Sequence, residues 1–369
     1  MVHEKRIEKL AALLRKKGLN AIFAGPSTDL EYLADLKLFD DERVKGLLIS
    51  SEGRIFALTP MLYGEEMRKA LGDRAIYKIW ADHEGFKTAF VEGAAEIGVN
   101  GGRIAINDGV RAVDLIEMED ALRAEYVNGA AALSPLRRVK DETELEYMRR
   151  ASSIADAVME DVSKFIRAGR SERDVQEFLV KAFAERGGEG LSFSPIVAGG
   201  PNGSMPHYHG NDRILQDGDF VVADIGCKYK GYCSDMTRTF CIGEPSDEMA
   251  RVYGIVLEAQ KAGEAAVRRG STGQDVDRAA RKIIADAGCG EYFLNRLGHG
   301  VGIAIHEEPY IIEGNDTPLE PGNVFSVEPG IYIPGKFGVR VENLVTVKAD
   351  GSAEALNKFT RELITISLR

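Results

Sequence analysis

Asp224, Asp235, His299, Glu328 and Glu342 are the residues of this chain whose types and spacing can do chemistry. Asp224 closes an apolar run in residues 220–226 (FVVADIG), and Asp235 lies in residues 231–240 (GYCSDMTRTF). Both segments read as strands, with Lys228-Tyr229-Lys230-Gly231 as the turn between them. A hairpin centred between Tyr229 and Lys230 sets Asp224 opposite Asp235, and directly opposed residues have Cβ atoms about 4.5–5.5 Å apart. Glu328 (NVFSVEPG, 323–330) and Glu342 (GVRVENLVTV, 338–347) are expected to do the same around Pro334-Gly335-Lys336. Two hairpins thus aim four carboxylates at one place. Negative charges that close cannot all stay ionised without cations, and two divalent ions would balance them. Any single acid among the 58 here is most often a solvated surface group. Asp224 and Glu328 each follow apolar strand residues, however, and an unpaired buried carboxylate is expensive.

The elements that must carry these residues show an internal duplication. Residues 167–188 (RAGRSERDVQEFLVKAFAERGG) echo 268–290 (RRGSTGQDVDRAARKIIADAGCG). In each, an Asp-Val pair at 174–175 or 275–276 opens a helix that ends at a glycine 13 residues on. DGDFVVADIG (217–226) matches PGNVFSVEPG (321–330) at an offset of 104, setting Asp224 on Glu328 and Gly226 on Gly330. Pairing Asp235 with Glu342 completes two copies. Two half-domains facing each other would place the carboxylates on a pseudo-twofold axis.

Upstream, residues 4–17 read as an amphipathic helix with Ile7, Leu10, Leu13 and Leu14 on one face and Gly18 as its stop. Strands are expected at 20–25, 45–51, 54–60, 74–80 and 103–108, and helices at 84–97 and 111–124, giving an α/β domain. That domain has no cluster of metal-binding or nucleophilic residues, and His3 and His83 read as isolated. A proline and a basic run in LSPLRRVKDETELEYMRRA (133–151) mark a boundary. The domains are therefore set at 1–132 and 133–369, with Asp141 capping a long helix over 141–167.

The chain has 369 residues, 44% hydrophobic and 28% charged, with a net charge of −11. This composition fits two ordinary globular domains, and the acidic balance argues against a nucleic-acid partner. No apolar run reaches membrane-spanning length, and MVHEKRIEKL reads as a charged helix start rather than a signal peptide. Cys227, Cys233, Cys241 and Cys289 lack CxxC spacing. They read as reduced core residues of a cytoplasmic protein, with a Cys227–Cys233 bridge across the hairpin the lesser alternative. Neither a phosphate-loop GxxxxGK[ST] nor a GxSxG elbow occurs, so AGGPNG (198–203) reads as a turn.

The segments DIG…GYCSDMTRTF, LGHGVGIAIHEEP (297–309), SVEPGIY (326–332) and VRVEN (339–343) resemble the pita-bread metallopeptidases of family M24, within them the prolidase and aminopeptidase P branch. The resemblance covers essentially the whole chain. It implies an α/β N-terminal domain of creatinase/prolidase type and an α+β pita-bread catalytic domain. It implies that Asp224 chelates one metal, that His299 and Glu328 bind the other, and that Asp235 and Glu342 bridge both. A carboxylate-rich site suits manganese first, with cobalt or zinc as alternatives. The reaction implied is attack of a metal-bridging hydroxide on the bond before proline, in an Xaa-Pro dipeptidase or aminopeptidase. A cytoplasmic homodimer is also implied, with one subunit's loop closing the other's site.

His207 (MPHYHG, 205–210) and His306 (IAIHEEP, 303–309) are near-equivalent in the two copies. By resemblance they flank the site without binding metal, bonding the substrate carbonyl and the developing oxyanion. Glu328 is expected to move the water's proton to the leaving nitrogen. His209 reads as a rim residue. Arg340 shares a strand face with Glu342 and by resemblance steadies a bridging carboxylate, a salt bridge in the core being the alternative. Proline recognition must rest on ring packing, for which Phe193, Tyr208, Tyr232 and Tyr310 are the aromatic candidates. One departure is Asn295, where many relatives carry a histidine that lines the substrate site; asparagine cannot carry positive charge. Two other readings keep the fold. One is hydrolysis of a small non-peptide amide, as in ectoine-hydrolase-like relatives; the other is a metal-retaining relative without catalysis. A creatinase-like reading is disfavoured because that branch works without metal. Methionine aminopeptidase is a weaker fit, because its minimal form has no place for the N-terminal domain.

Overall fold

The computed structural model describes residues 2–367, which form two compact units divided between Arg137 and Arg138. The first unit is built on a six-stranded mixed sheet. Its strands run in the order Ala75–Trp80, Ile55–Pro60, Gly46–Ser50, Ala21–Ala24, Arg103–Ile106, Glu125–Asn128. The helix Glu4–Lys16 buries Ile7, Leu10, Ala11 and Leu14; Ala11, not Leu13, completes the stripe, because it stands one turn from Ile7. Two helices, Thr28–Ala34 and Gly64–Leu71, and the edge strand Glu125–Asn128 go beyond the sequence reading. At eight residues or fewer the two helices are too short to show a sustained apolar period. His3 is not isolated, since its Nε2 lies 2.8 Å from Asp35 Oδ1.

The second unit carries the duplication in its caps. The helix Glu172–Glu185 starts at Ser171, whose side chain accepts from the Asp174 amide while Asp174 bonds back to the Ser171 amide. The helix Gly273–Asp286 starts at Thr272 with the same reciprocal pair through Asp275. Each such cap stabilises its helix by about 1 kcal/mol. Each shorter helix follows a longer one, Glu142–Phe165 in the first half and Asp247–Ala266 in the second. Asp141 caps the former with a capping box of its own, as its position in the sequence predicts.

Each helix pair packs against one sheet. The first sheet runs Ile364–Ile366, Met236–Ile242, Phe220–Ile225, Ile196–Gly199, and the second Glu307–Ile311, Gly298–Gly300, Val324–Val327, Asn343–Val347, Ala353–Ala355. Separate apolar clusters fill the two halves, one around Val158, Leu179 and Val221, the other around Val256, Ile284 and Phe325. The strand beside Phe220–Ile225 spans only Ile196–Gly199. All four cysteines are buried. Among the described residues no helix is long and apolar enough to cross a membrane.

The two hairpins differ in register. In the second, Gly330 pairs with Arg340 and Val327 with Asn343, so Glu328 and Glu342 fall opposite each other between two ladders, as expected. In the first, Asp224 pairs with Thr237 rather than with Asp235. The turn is the two-residue Lys230-Gly231, with Tyr229 paired to Tyr232 and φ of 50° and 81° at the two turn residues. Positive φ at both positions is the backbone of a type I′ hairpin turn, one residue later than the expected centre. Asp235 still shares a face with Thr237, two residues on, and so points the same way as Asp224.

Candidate active site

The five expected ligands converge. One side-chain oxygen each from Asp224, Asp235 and Glu342 lie within 4.8 Å of one another. His299 Nε2 stands 3.7 Å from Asp235 Oδ2 and 3.2 Å from Glu328 Oε1, joining the remaining pair to that group. Asp235, His299 and Glu342 are buried and Asp224 nearly so. Burial first, then Glu342, Asp224 and Glu328, pushes the Asp235 carboxyl well above the usual range. Glu342 is raised by burial and by Glu328 and Asp224, and Asp224 by burial and Glu328 against the pull of Arg340. Burial raises Glu328 most, but the neighbouring His299, Arg340 and Ser326 together outweigh it and hold the carboxyl below its ordinary value.

The surrounding groups orient each ligand and leave one side open. Arg340 donates from Nη2 to Asp224 Oδ2 at 2.7 Å and from Nε to Thr237 Oγ1 at 3.0 Å. Thr237 Oγ1 donates to Glu342 Oε2 at 2.7 Å, a contact that exists because the register sets Thr237 opposite Asp224. Ser326 Oγ donates to Glu328 Oε1 at 2.9 Å and accepts the His299 amide at 3.0 Å. His299 Nδ1 faces the Gly300 carbonyl at 3.2 Å, which fixes the proton there and turns a lone pair on Nε2 toward the carboxylates. Asp224 Oδ1 and Glu342 Oε1 are left buried with no hydrogen-bond partner. Acidic oxygens held on one side, orphaned on the other, and beside an imidazole form a donor set that fits divalent cations. A Cβ on Gly298 would collide with the Ser326 carbonyl, and one on Gly300 with the Glu308 carbonyl, so both glycines permit the close backbone approach at His299.

Arg340 therefore differs from expectation in one respect. Its direct partner is Asp224, and it reaches Glu342 only through Thr237. A further Tyr332 hydroxyl at 2.8 Å completes its setting. Arg238, unremarked in the sequence, is buried and donates to the carbonyls of Thr237, Glu342, Phe359 and Thr360, tying the two half-sheets together behind the site. Burial lowers its pKa to about 10.

These carboxylates floor a cavity of about 690 Å³, a size suited to a small ligand. His207, His209, Asn295 and His306 line it. None of the three histidines, His207, His209 or His306, hydrogen-bonds to a described residue. The His306 ring stands edge-on to His299 with centroids 4.1 Å apart. Burial, then the neighbouring His299 and Arg296, pushes its pKa down to about 4. Asn295 Oδ1 is buried without a partner. Tyr310 is corrected: outward-facing on the strand Glu307–Ile311, it lines a separate cavity of about 420 Å³. Tyr208 and Tyr232 do not line the cavity either, their hydroxyls donating to Glu172 at 3.0 Å and Glu144 at 2.6 Å. Phe193 does line it, together with Ile196, Ile305 and Ile312.

The duplicated helices position the lining loops. Glu172, fully buried, accepts from the Gly199 amide, Asn202, Tyr208 and the Arg213 amide, and so fixes the segment that carries His207. Asp277 accepts the Leu297 amide at 3.0 Å and pairs with Arg281, which donates to the carbonyls of Phe293 and Asn295. Gln176, the counterpart of Asp277, donates to the Pro195 carbonyl. Strand alternation could have found Thr237 and Ser326, each two residues from a ligand and on its face. No local signal points to Glu172 or Asp277.

Known proteins resemble this chain over nearly its whole length. Metallopeptidase family M24 matches residues 146–349, and the creatinase/prolidase N-terminal domain matches residues 6–139. A probable dipeptidase PepE of Mycobacterium tuberculosis is 38% identical over 99% of this chain and 97% of its own. An Xaa-Pro dipeptidase of Pyrococcus horikoshii is 31% identical over 98% of this chain and 99% of its own. The crystal structure of a prolidase from Thermococcus sibiricus superposes with a TM-score of 0.94 at 37% identity, covering 99% of both chains.

Proposed function

The chain belongs to metallopeptidase family M24, and we propose that it hydrolyses the peptide bond preceding proline with two divalent metal ions, manganese first, held between its two half-domains. It is a metal-dependent peptidase with a creatinase-type N-terminal domain and a pita-bread catalytic domain. One observation carries the dinuclear reading. Asp224 and Glu342 keep a buried oxygen unpartnered within a group of acids that Arg340 alone cannot neutralise. Asp224, Asp235, His299, Glu328 and Glu342 would hold the ions, which when bound lower the pKa of a water toward neutrality and so supply a hydroxide.

The chain's own residues account for the other parts of the reaction. Glu328, oriented by Ser326, accepts the proton of the attacking water and passes it to the proline nitrogen, so the C–N bond breaks with a neutral amine leaving. His306, neutral at pH 7 because burial lowers it, donates its N–H to the oxyanion. His207 bonds the substrate carbonyl from the opposite half. A proline amide offers no N–H, so Phe193, Ile196, Ile305 and Ile312 select the ring by contact, while Asn295 supplies a polar edge in place of an imidazole.

The test is hydrolysis by protein stripped with chelator and reloaded with Mn²⁺, Co²⁺ or Zn²⁺. Met-Pro, Met-Pro-Ala and a matched Met-Ala control are the substrates. Metal-dependent cleavage of the proline peptides over the control is expected; no cleavage by protein shown to hold metal would overturn the reading.

A further inference from the structure

Arg296 lines the cavity beside Asn295, yet no ligand-directed role follows from the metal centre. The cavity's other arginine, Arg340, is committed to Asp224, Thr237 and Tyr332. Arg296 makes no ion pair with a carboxylate of the described residues. Its guanidinium stands 4.7 Å from the centroid of the Tyr310 ring, which supports the cation while leaving N–H edges open. The backbone around it is pinned: Arg281 holds the carbonyls of Phe293 and Asn295, and Asp277 holds the Leu297 amide. A guanidinium on a pinned backbone, lining a cavity with its N–H edges open, can receive a carboxylate in bidentate fashion.

The polarity of a bound peptide follows from the charges. With the scissile carbonyl at the metal-ligand cluster, the ammonium and carboxylate ends lie to either side of it, and Arg296 repels the ammonium, so the C-terminal end lies toward Arg296. Apolar Ile305 and Ile312 line the same cavity. Tyr310, under the guanidinium, lines the second cavity and Ile312 lines both, so the Arg296–Tyr310 pair stands where the two spaces adjoin. A chain continuing past Arg296 would have to displace that stack.

We infer that Arg296 receives the free α-carboxylate of the substrate and makes this protein a dipeptidase rather than an aminopeptidase on longer chains. The inference rests on the peptidase reading above. Manganese-loaded wild type, Arg296→Gln and Arg296→Lys are assayed on Met-Pro, Met-prolinamide and Met-Pro-Ala. A charge-assisted hydrogen bond of ordinary strength predicts that the wild type favours Met-Pro over the amide by about 10- to 100-fold in kcat/KM, chiefly through KM. That preference collapses in Arg296→Gln and is partly kept in Arg296→Lys. Equal use of acid and amide by the wild type, best turnover of Met-Pro-Ala, or an unchanged preference in Arg296→Gln would each overturn the assignment. Failure of the underlying peptidase reading looks different: metal-loaded wild type then cleaves none of the three.

Discussion

Thr237 is the most economical place to perturb the site, because one hydroxyl serves two buried groups and is not itself an expected metal ligand. It donates to Glu342 Oε2 at 2.7 Å and accepts from Arg340 Nε at 3.0 Å. Thr237→Val keeps the shape and removes both bonds. Glu342, whose Oε1 already lacks a partner, then has neither oxygen satisfied, and Arg340 loses one of its donors' acceptors. Leaving a buried donor or acceptor unmet costs about 1–3 kcal/mol, so two such losses come to about 2–6 kcal/mol. For a unit of this size, that corresponds to a fall in melting temperature of about 4–24 °C. Because Thr237 orients a ligand from behind, divalent-metal affinity should also drop about 10- to 100-fold. Calorimetric Mn²⁺ titration and thermal unfolding, each with Thr237→Ser as the control that keeps the hydroxyl, measure both effects. If Thr237→Val binds Mn²⁺ as tightly as the wild type and melts at the same temperature, the argued coupling of Arg340, Thr237 and Glu342 is wrong.

Other outcomes follow from the same geometry. Asp235 has its pKa raised in the folded state by burial and by its acidic neighbours, so its contribution is fully present below the usual carboxylate range near 4 and is lost as pH rises above it. Metal-free Asp235→Asn should therefore melt above the metal-free wild type at pH 8, with the gap closing toward pH 4, and should bind metal more weakly; a gap that widens on acidification would contradict this. Gly298→Ala should lose metal binding, because the added Cβ meets the Ser326 carbonyl and displaces His299; metal content of the purified variant checks it. His306→Ala should keep its metal while kcat falls about 10²- to 10³-fold, the usual cost of an oxyanion donor, as steady-state kinetics on Met-Pro will show.

The site was more legible in the sequence than the fold that holds it. The duplication could be read because capping chemistry repeats: Ser171 with Asp174, and Thr272 with Asp275, need the same residue types at the same spacing. The second hairpin could be read because one register runs through both of its ladders. The first could not, because its turn sets Lys230 at positive φ, a conformation a lysine does not advertise, and the shift hands Thr237 the position expected of Asp235. Three of the four aromatic candidates, Phe193 excepted, fall outside the cavity for a related reason. Tyr208, Tyr232 and Tyr310 stand close to site residues in sequence, but hydroxyl partners or strand alternation turn them elsewhere. The buried anchors were invisible because Glu172, in the first turn of its helix, and Asp277, the fifth residue of its own, both read as solvated helix acids. Only the folded loops reveal that these two accept backbone amides.

The central claim is that five side chains form one dinuclear metal centre. Crystals grown with Mn²⁺ and measured at the manganese absorption edge test it directly. Two anomalous peaks are expected, one touching Asp224, one touching His299 and Glu328, with Asp235 and Glu342 reaching both. A single peak, or peaks away from these residues, would contradict the account.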